Sequence, residues 1–347
     1  MARKSYTRKT SRGGKIQPAV QTMTFATPGS GAASVYIDLS QAASIANRRF
    51  YRQGINWAVA GIKVISLQPG SVNCFKLPNT WIMSNAWEKS FRAWTKMNNA
   101  ALAEAPSVRP KFLDFKVYMD AAHHQAGFTT NLLPIAPFGA ATVTGEWEPS
   151  KIVVPLTDGS DNAFSRELIA VGANYPADSP ITGLNAVSLI EGYAASRGLP
   201  DVLDPNAPDD ASSVNGSAPA NWMSAMFNEG TDQDDHVLDD MITENNIAPY
   251  PFENGDDGAG GAYTDTMYPG GANQMSGVQW HDSVQIYSSS GVAAAGVGTQ
   301  RIKGGNFPCG LIRIDWSPDD VSANLIIQLD LVPGNHRGYL CEPMTEM

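Results

Sequence analysis

Only three cysteines, Cys74, Cys309 and Cys341, occur in 347 residues, and no two are spaced as CxxC. An odd number so placed speaks against both a disulfide framework and a zinc module of paired thiolates, and three buried thiols are expected. No apolar run approaches the roughly 18–20 residues of a membrane-spanning helix. The first nine residues have no apolar stretch of the kind a secretory leader needs, so a soluble protein made in a cytosol is expected. Lys and Arg are missing altogether from Gly198 to Gln300, which holds 16 acids.

What is present is a globular, loop-rich composition: 43% hydrophobic and 17% charged, with 32 Gly and 23 Pro. Such a chain buries a full core, in one large β domain or two smaller ones. The net charge of -10 hides a partition. Residues 1–116 hold 17 Lys/Arg against 4 Asp/Glu, and residues 117–347 hold 7 against 30. Two surfaces with unlike partners follow.

Arg3, Lys4, Arg8, Lys9, Arg12 and Lys15 occur without an acid in a stretch whose apolar side chains are Met1, Ala2 and Tyr6. Residues 1–20 therefore read as a basic arm that orders only on a polyanion. Flexible cations that neutralise phosphates release counterions without reading bases, so binding is sequence-tolerant and salt-dependent. Tyr6 adds a stacking contact to unpaired bases. A solvated tail or a nuclear-import signal is the plainer reading of the same residues.

Period-two alternation predicts strands at 113–119, 278–286, 312–316 and 325–331, with shorter ones at 22–25, 33–39 and 151–155. Between Ile55 and Leu67 the apolar phase changes from odd (Ile55, Trp57, Val59) to even (Ile62, Val64), which predicts a β-bulge near Gly61. About eight strands result, all expected to be antiparallel. Met83, Trp87, Phe91 and Trp94 repeat at helical spacing as a core-facing stripe. Asp38 or Ser40 caps a short predicted helix through Tyr51, on which Arg48 and Arg52 share a face. Trp222, Met223, Met226 and Phe227 form another helical stripe, as do Val237, Leu238, Met241 and Ile242. The expected fold is mainly β: an antiparallel jelly-roll sandwich with a few helices in its connections and a large acidic insertion. Residues 21–197 and 278–347 make the sandwich, and 198–277 the insertion. A connection of more than a hundred residues between the strands at 151–155 and 278–286 implies a partner surface.

Catalytic patterns are weak. His123 and His124, three and four residues after Asp120, would point to opposite faces of a strand, and no pattern completes a metal site. His281 and Asp282 lack a serine elbow. Gly255, Gly258, Gly260 and Gly261 lack the Lys-Ser/Thr of a phosphate loop. The acids at Asp232, Asp234 and Asp235 depart from a calcium loop at Val237 and Thr243, and fit a helix amino terminus. No catalytic residue, metal ligand or cofactor is assigned.

Residues 36–41 (YIDLSQ) and 47–54 (NRRFYRQG), followed by the strand at Ile55, resemble a block near the amino terminus of capsid proteins from small circular, Rep-encoding single-stranded DNA viruses. Residues 331–340 (LVPGNHRGYL) with 342–344 (EPM) resemble the end of the smacovirus-like and pecovirus-like capsid proteins. The resemblance covers about the first 65 and last 20 residues. It implies a jelly-roll subunit that self-assembles into an icosahedral shell of 60 copies or a multiple, around circular single-stranded DNA, with the basic arm inside. Arg48, Arg49 and Arg52 then either add to the inner surface or pair with acids at subunit contacts. The acidic insertion would project outward as a candidate receptor surface, and the virion and the host cell, including its nucleus, are the expected locations. Two other readings stand beside this one: a single-stranded nucleic-acid-binding module that forms no shell, and a β-sandwich carbohydrate-active enzyme.

Overall fold

A computed structural model describes residues 18–28, 32–104, 106–108, 113–135, 142–145, 147–155, 163–172, 186–197, 222–223, 277–287, 297–319 and 324–347. The arm cations Arg3 to Lys15 lie outside them, as does all of the acidic insertion except Trp222, Met223 and Gly277. The acidic run near Asp232, the glycines from Gly255 to Gly261 and the stripe from Val237 to Ile242 are outside them too.

The protein is mainly β, built on two curled antiparallel sheets. In the first sheet β1 (Thr22–Ala26) pairs with β11 (Leu325–Leu331), β11 with β3 (Ile55–Ser66), and β3 with β9 (Gly298–Phe307). In the second sheet β2 (Ala33–Asp38) pairs with β10 (Leu311–Pro318), β10 with β4 (Gly70–Lys76), and β4 with β8 (Gln279–Ile286). At the carboxyl end β12 (Pro333–Gly334) and β13 (Gly338–Tyr339) pair as a small hairpin, and β14 (Cys341–Pro343) continues the first sheet along Ile55–Trp57. All eight long strands turn apolar side chains into one core, among them Phe25, Ile37, Trp57, Val72, Ile286, Ile302, Ile314 and Ile327. Two sheets sharing one buried layer make a sandwich.

The phase change in β3 is a bulge. Leu331 faces Val59 while Asp330 faces Gly61, so Ala60 is the extra residue, and Val59 and Ile62 both reach the core. Gly304 on β9 makes this possible: a Cβ there would sit 2.4 Å from the Val59 carbonyl oxygen and 2.5 Å from that of Ala60. Backbone cannot yield as a side-chain end can. Gly304→Ala is expected to cost about 1–3 kcal/mol, seen as a lower urea midpoint with an unchanged slope.

Several elements depart from expectation. A second bulge, at His281 in β8, turns His281 inward and leaves Trp280 54% exposed, the reverse of simple alternation. The segment at 113–119 joins neither main sheet; it runs extended and bridges Ile169 only at Tyr118, in parallel. Strands β4 and β9 take the sandwich places expected of 113–119 and 151–155. The helix α1 (Leu39–Asn47) stops before Tyr51, because Arg48 turns left-handed (φ 54°) and donates its N–H to Ser44 O. Arg48 and Arg52 therefore share no helix face. His123 and His124 lie on the short helix α3 (Ala121–Ala126), not on a strand.

The long connection after β5 (Lys151–Pro155) is also structured. It holds β6 (Ala163–Ile169), β7 (Ala186–Ser188) and α4 (Leu189–Arg197), with β6 and β7 parallel. The stripe of α2 (Trp81–Glu104) packs with α4, residues 115–119, Trp222 and Met223 into a second core. Tyr36, Cys309 and Leu311 attach that core to the sandwich.

Candidate nucleic-acid interface

Local chemistry gathers arginines where the amino-terminal segment joins the fold. Asn47 ends α1 and accepts a hydrogen bond from Val20 N at 2.9 Å, while its Nδ2 donates to Tyr339 Oη at 2.7 Å. Tyr339 Oη in turn donates to Val20 O at 2.7 Å. Arg49 donates to Pro18 O at 3.2 Å, so the chain arriving from the basic arm is moored beside Arg48 and Arg49. The next turn ties in a fourth arginine: Arg337 donates to Phe50 O, and Tyr51 Oη donates to Arg337 O at 3.1 Å. Arg337 is left-handed at φ 51° and exposed.

The collar formed by Arg48, Arg49, Arg52 and Arg337 is short of acids. Among the described residues Arg48, Arg49 and Arg337 make no ion pair, and Arg52 has only Asp114, at 3.6 Å. Elsewhere arginines are neutralised: Arg313 lies between Asp120 (3.1 Å) and Asp315 (2.8 Å), and Arg301 faces Asp330 (3.6 Å). Arginines with few acids around them, beside the root of a basic segment, are suited to phosphate.

Beside the collar a groove of about 610 Å³ opens between α2 and the turn at His336 and Arg337. Trp87, Phe91 and Trp94 form one wall, and Phe50 with Arg52 another. Phe91 lies nearly parallel to Trp87, centroids 5.1 Å apart, and Arg52 covers Phe50 at 5.5 Å. Burial and the neighbouring Arg337 push His336 below its ordinary value, so it is neutral near pH 7.

The histidine candidates have structural partners. His123 Nδ1 accepts from Met119 N at 3.0 Å, and its other nitrogen lies 2.7 Å from Asn131 Oδ1. Burial pushes it down to about 4, and its ring stacks on Tyr36. His124 sits 2.8 Å from Glu167. His281 bonds Lys303 O at 3.0 Å and meets Phe307 edge-on. Among the described residues no three His, Cys, Asp or Glu gather to hold a metal. Comparison with known proteins finds no match. No family model, no curated protein and no solved structure resembles the chain closely enough to carry an argument.

Of the nine cations assigned to nucleic acid, Arg48, Arg49 and Arg52 are among the described residues; they follow one another in the turn after α1, and Arg49 is tied to Pro18. Sequence reasoning misses Arg337. A single arginine in a turn gives no periodic signal, and a left-handed non-glycine residue is not announced by composition.

Asp114 makes this site sensitive to pH. Its burial raises its pKa to about 6, against the opposing pull of the Gln53 N–H and the charges of Arg52 and Lys116. A folded value above the unfolded one means that stability rises as pH falls from about 6 towards the ordinary carboxylate range. Asp114→Asn removes that gain. Its unfolding free energy is expected to fall more steeply than the parent's between pH 7 and pH 4, by on the order of 2 kcal/mol, with His123 acting equally in both. Thermal melts at both pH values check this, and parallel pH curves would contradict it.

Proposed function

We propose that this protein is a viral coat protein: a jelly-roll subunit that closes into a shell with copies of itself and packages single-stranded DNA without reading sequence. The observation that carries the reading is the mooring of the basic segment within the arginine collar, at Pro18 and Arg49. In this reading the arm and the arginines near Pro18 put positive charge at one end of the sandwich, while residues 198–300 hold 16 acids and no Lys or Arg. A closed shell has an inside and an outside, and a chain divided in this way can turn one part to each.

The strand order supports a jelly roll. Numbered along the chain, the eight sandwich strands pair first with eighth, second with seventh, third with sixth and fourth with fifth. That nesting is what a long antiparallel hairpin gives when it is rolled up into two sheets. Jelly rolls also serve as lectins and cupins, so the charge distribution and not the fold carries the function. In a shell of sixty copies the six arm charges supply about +360, and the collar adds up to about +240. The acidic insertion belongs on the outer surface in this reading, as a site for a host receptor.

Deleting residues 2–15 tests the division of labour. Closed particles with less encapsidated nucleic acid are expected, measured by absorbance at 260 and 280 nm on purified particles. Loss of particles altogether would contradict it. The groove beside the collar favours a second reading, a binding module that coats single strands without a shell, because aromatic rings and arginines stand side by side there. Soluble complexes that never close would support that module.

A further inference from the structure

The groove between α2 and the His336–Arg337 turn has features the collar does not need. Its wall of Trp87, Phe91 and Trp94 is aromatic, its mouth carries Arg52 and Arg337, and its volume of about 610 Å³ is that of a small-ligand site. Trp87 is only 6% exposed, yet among the described residues its Nε1 has no hydrogen-bond partner, and neither has the buried Oγ1 of Thr95 on the same wall. Unpaired buried polar groups are costly, and both atoms are closed to water, so they mark this wall as imperfectly packed. Gly54 lets the Trp87 ring lie directly against the backbone: a Cβ there would sit 2.3 Å from that ring.

We infer that this groove binds one unpaired nucleotide of the packaged strand. The half-buried Phe91, held between Trp87 and Trp94, is the ring against which the base packs. Arg52 and Arg337 take the flanking phosphates, continuing the charge track that begins at Arg48 and Arg49. A duplex cannot place a base there without flipping it, so the site selects single strands. The inference rests on the nucleic-acid reading above and adds to it a base-dependent contact on the folded surface, separate from any stacking by Tyr6 of the arm.

The test uses the full chain at about 0.5 M salt, where the gain from counterion release is small and phosphate contacts are weak. Binding of a twelve-nucleotide thymidine strand is compared with that of an abasic strand of equal length, followed by tryptophan fluorescence. The thymidine strand is expected to bind roughly 5- to 100-fold more tightly and to quench the emission. Phe91→Leu is expected to abolish that preference; because Phe91 also packs on Trp87, Trp94 and Phe115, a lower melting temperature accompanies it, and binding is compared well below that temperature. Arg337→Gln is expected to keep the preference and to weaken both strands alike.

Equal affinity for the two strands, or a preference that survives Phe91→Leu, would overturn the inference while leaving the coat-protein reading intact. Failure of both strands to bind even at low salt would instead sink the nucleic-acid reading itself. Unchanged strand binding in a Phe91→Leu protein that no longer closes into particles would assign the groove to a neighbouring subunit, and would overturn the nucleotide assignment.

Discussion

Replacing Arg48, Arg49, Arg52 and Arg337 together with glutamine is expected to flatten the salt dependence of single-stranded DNA binding. Six arm cations and four collar arginines allow up to ten phosphate contacts, and each contributes about 0.7 to the slope of log affinity against log salt. The parent slope is then about −7 and that of the variant about −4. Between 50 and 200 mM salt the parent loses about four decades of affinity and the variant about two and a half. Arg52 and Arg337 also donate to the carbonyls of Leu113 and Phe50, so part of their loss falls on stability. Arg48→Gln with Arg49→Gln serves as the milder variant, with an expected slope near about −5.6. Parent-like slopes in both proteins, each melting as a folded chain, would remove the collar from the interface.

Asp38→Ala is expected to lower stability by about 4 kcal/mol or more. This carboxylate is buried where α1 begins, and five donors converge on it. Oδ1 caps the helix by accepting from Ser40 N at 2.8 Å and Gln41 N at 3.2 Å, and it also takes the Ser40 hydroxyl. Oδ2 accepts from Gln53 Nε2 at 3.1 Å and Trp147 Nε1 at 3.0 Å. Losing the cap costs about 0.5–2 kcal/mol, and each side-chain donor left unpaired in the interior adds about 1–3 kcal/mol.

Burial pushes the Asp38 pKa up, and the Ser40, Gln41 and Gln53 donors pull it back. Gln53 cannot turn to compensate, since its amide is already paired with the Val117 backbone, donating at 3.1 Å and accepting at 2.7 Å. Asp38→Asn keeps the shape and the cap but sets its new NH2 against two donors, so an intermediate loss is expected. Chemical denaturation of the three proteins measures the series. An Asp38→Ala protein within about 1 kcal/mol of the parent would show that Asp38 does not organise this junction.

That junction holds the collar in place, and its legibility in the sequence is uneven. Asp38 is readable as a cap because a short acid before Leu39 has a direct backbone consequence. The bulge in β3 is readable because a core on one face forces the apolar phase to move when a residue is inserted. Strand β9 is not: only Ile302 and Phe307 are among its buried apolar residues, and Gly304 and Gly305 read as loop. Glycine is required there by the close backbone of the neighbouring strand, a tertiary cause that local pattern does not contain.

Trp280 and His281 exchange faces for a related reason, because one extra residue in β8 inverts everything before it. The end of α1 falls earlier than the pattern implies because its left-handed cap is an arginine where glycine is usual. The groove is out of reach for another reason. Phe50, Phe91 and Arg337 come together only through the second core and the carboxyl-terminal turn, which are far apart in the chain.

Self-assembly around nucleic acid is the central claim, and negative-stain electron microscopy of the full chain expressed alone addresses it most directly. Fractions at low and high salt are imaged, with absorbance at 260 and 280 nm recorded on each. Uniform closed particles with a raised 260/280 ratio are predicted. Soluble monomers that never close at any salt would contradict the account.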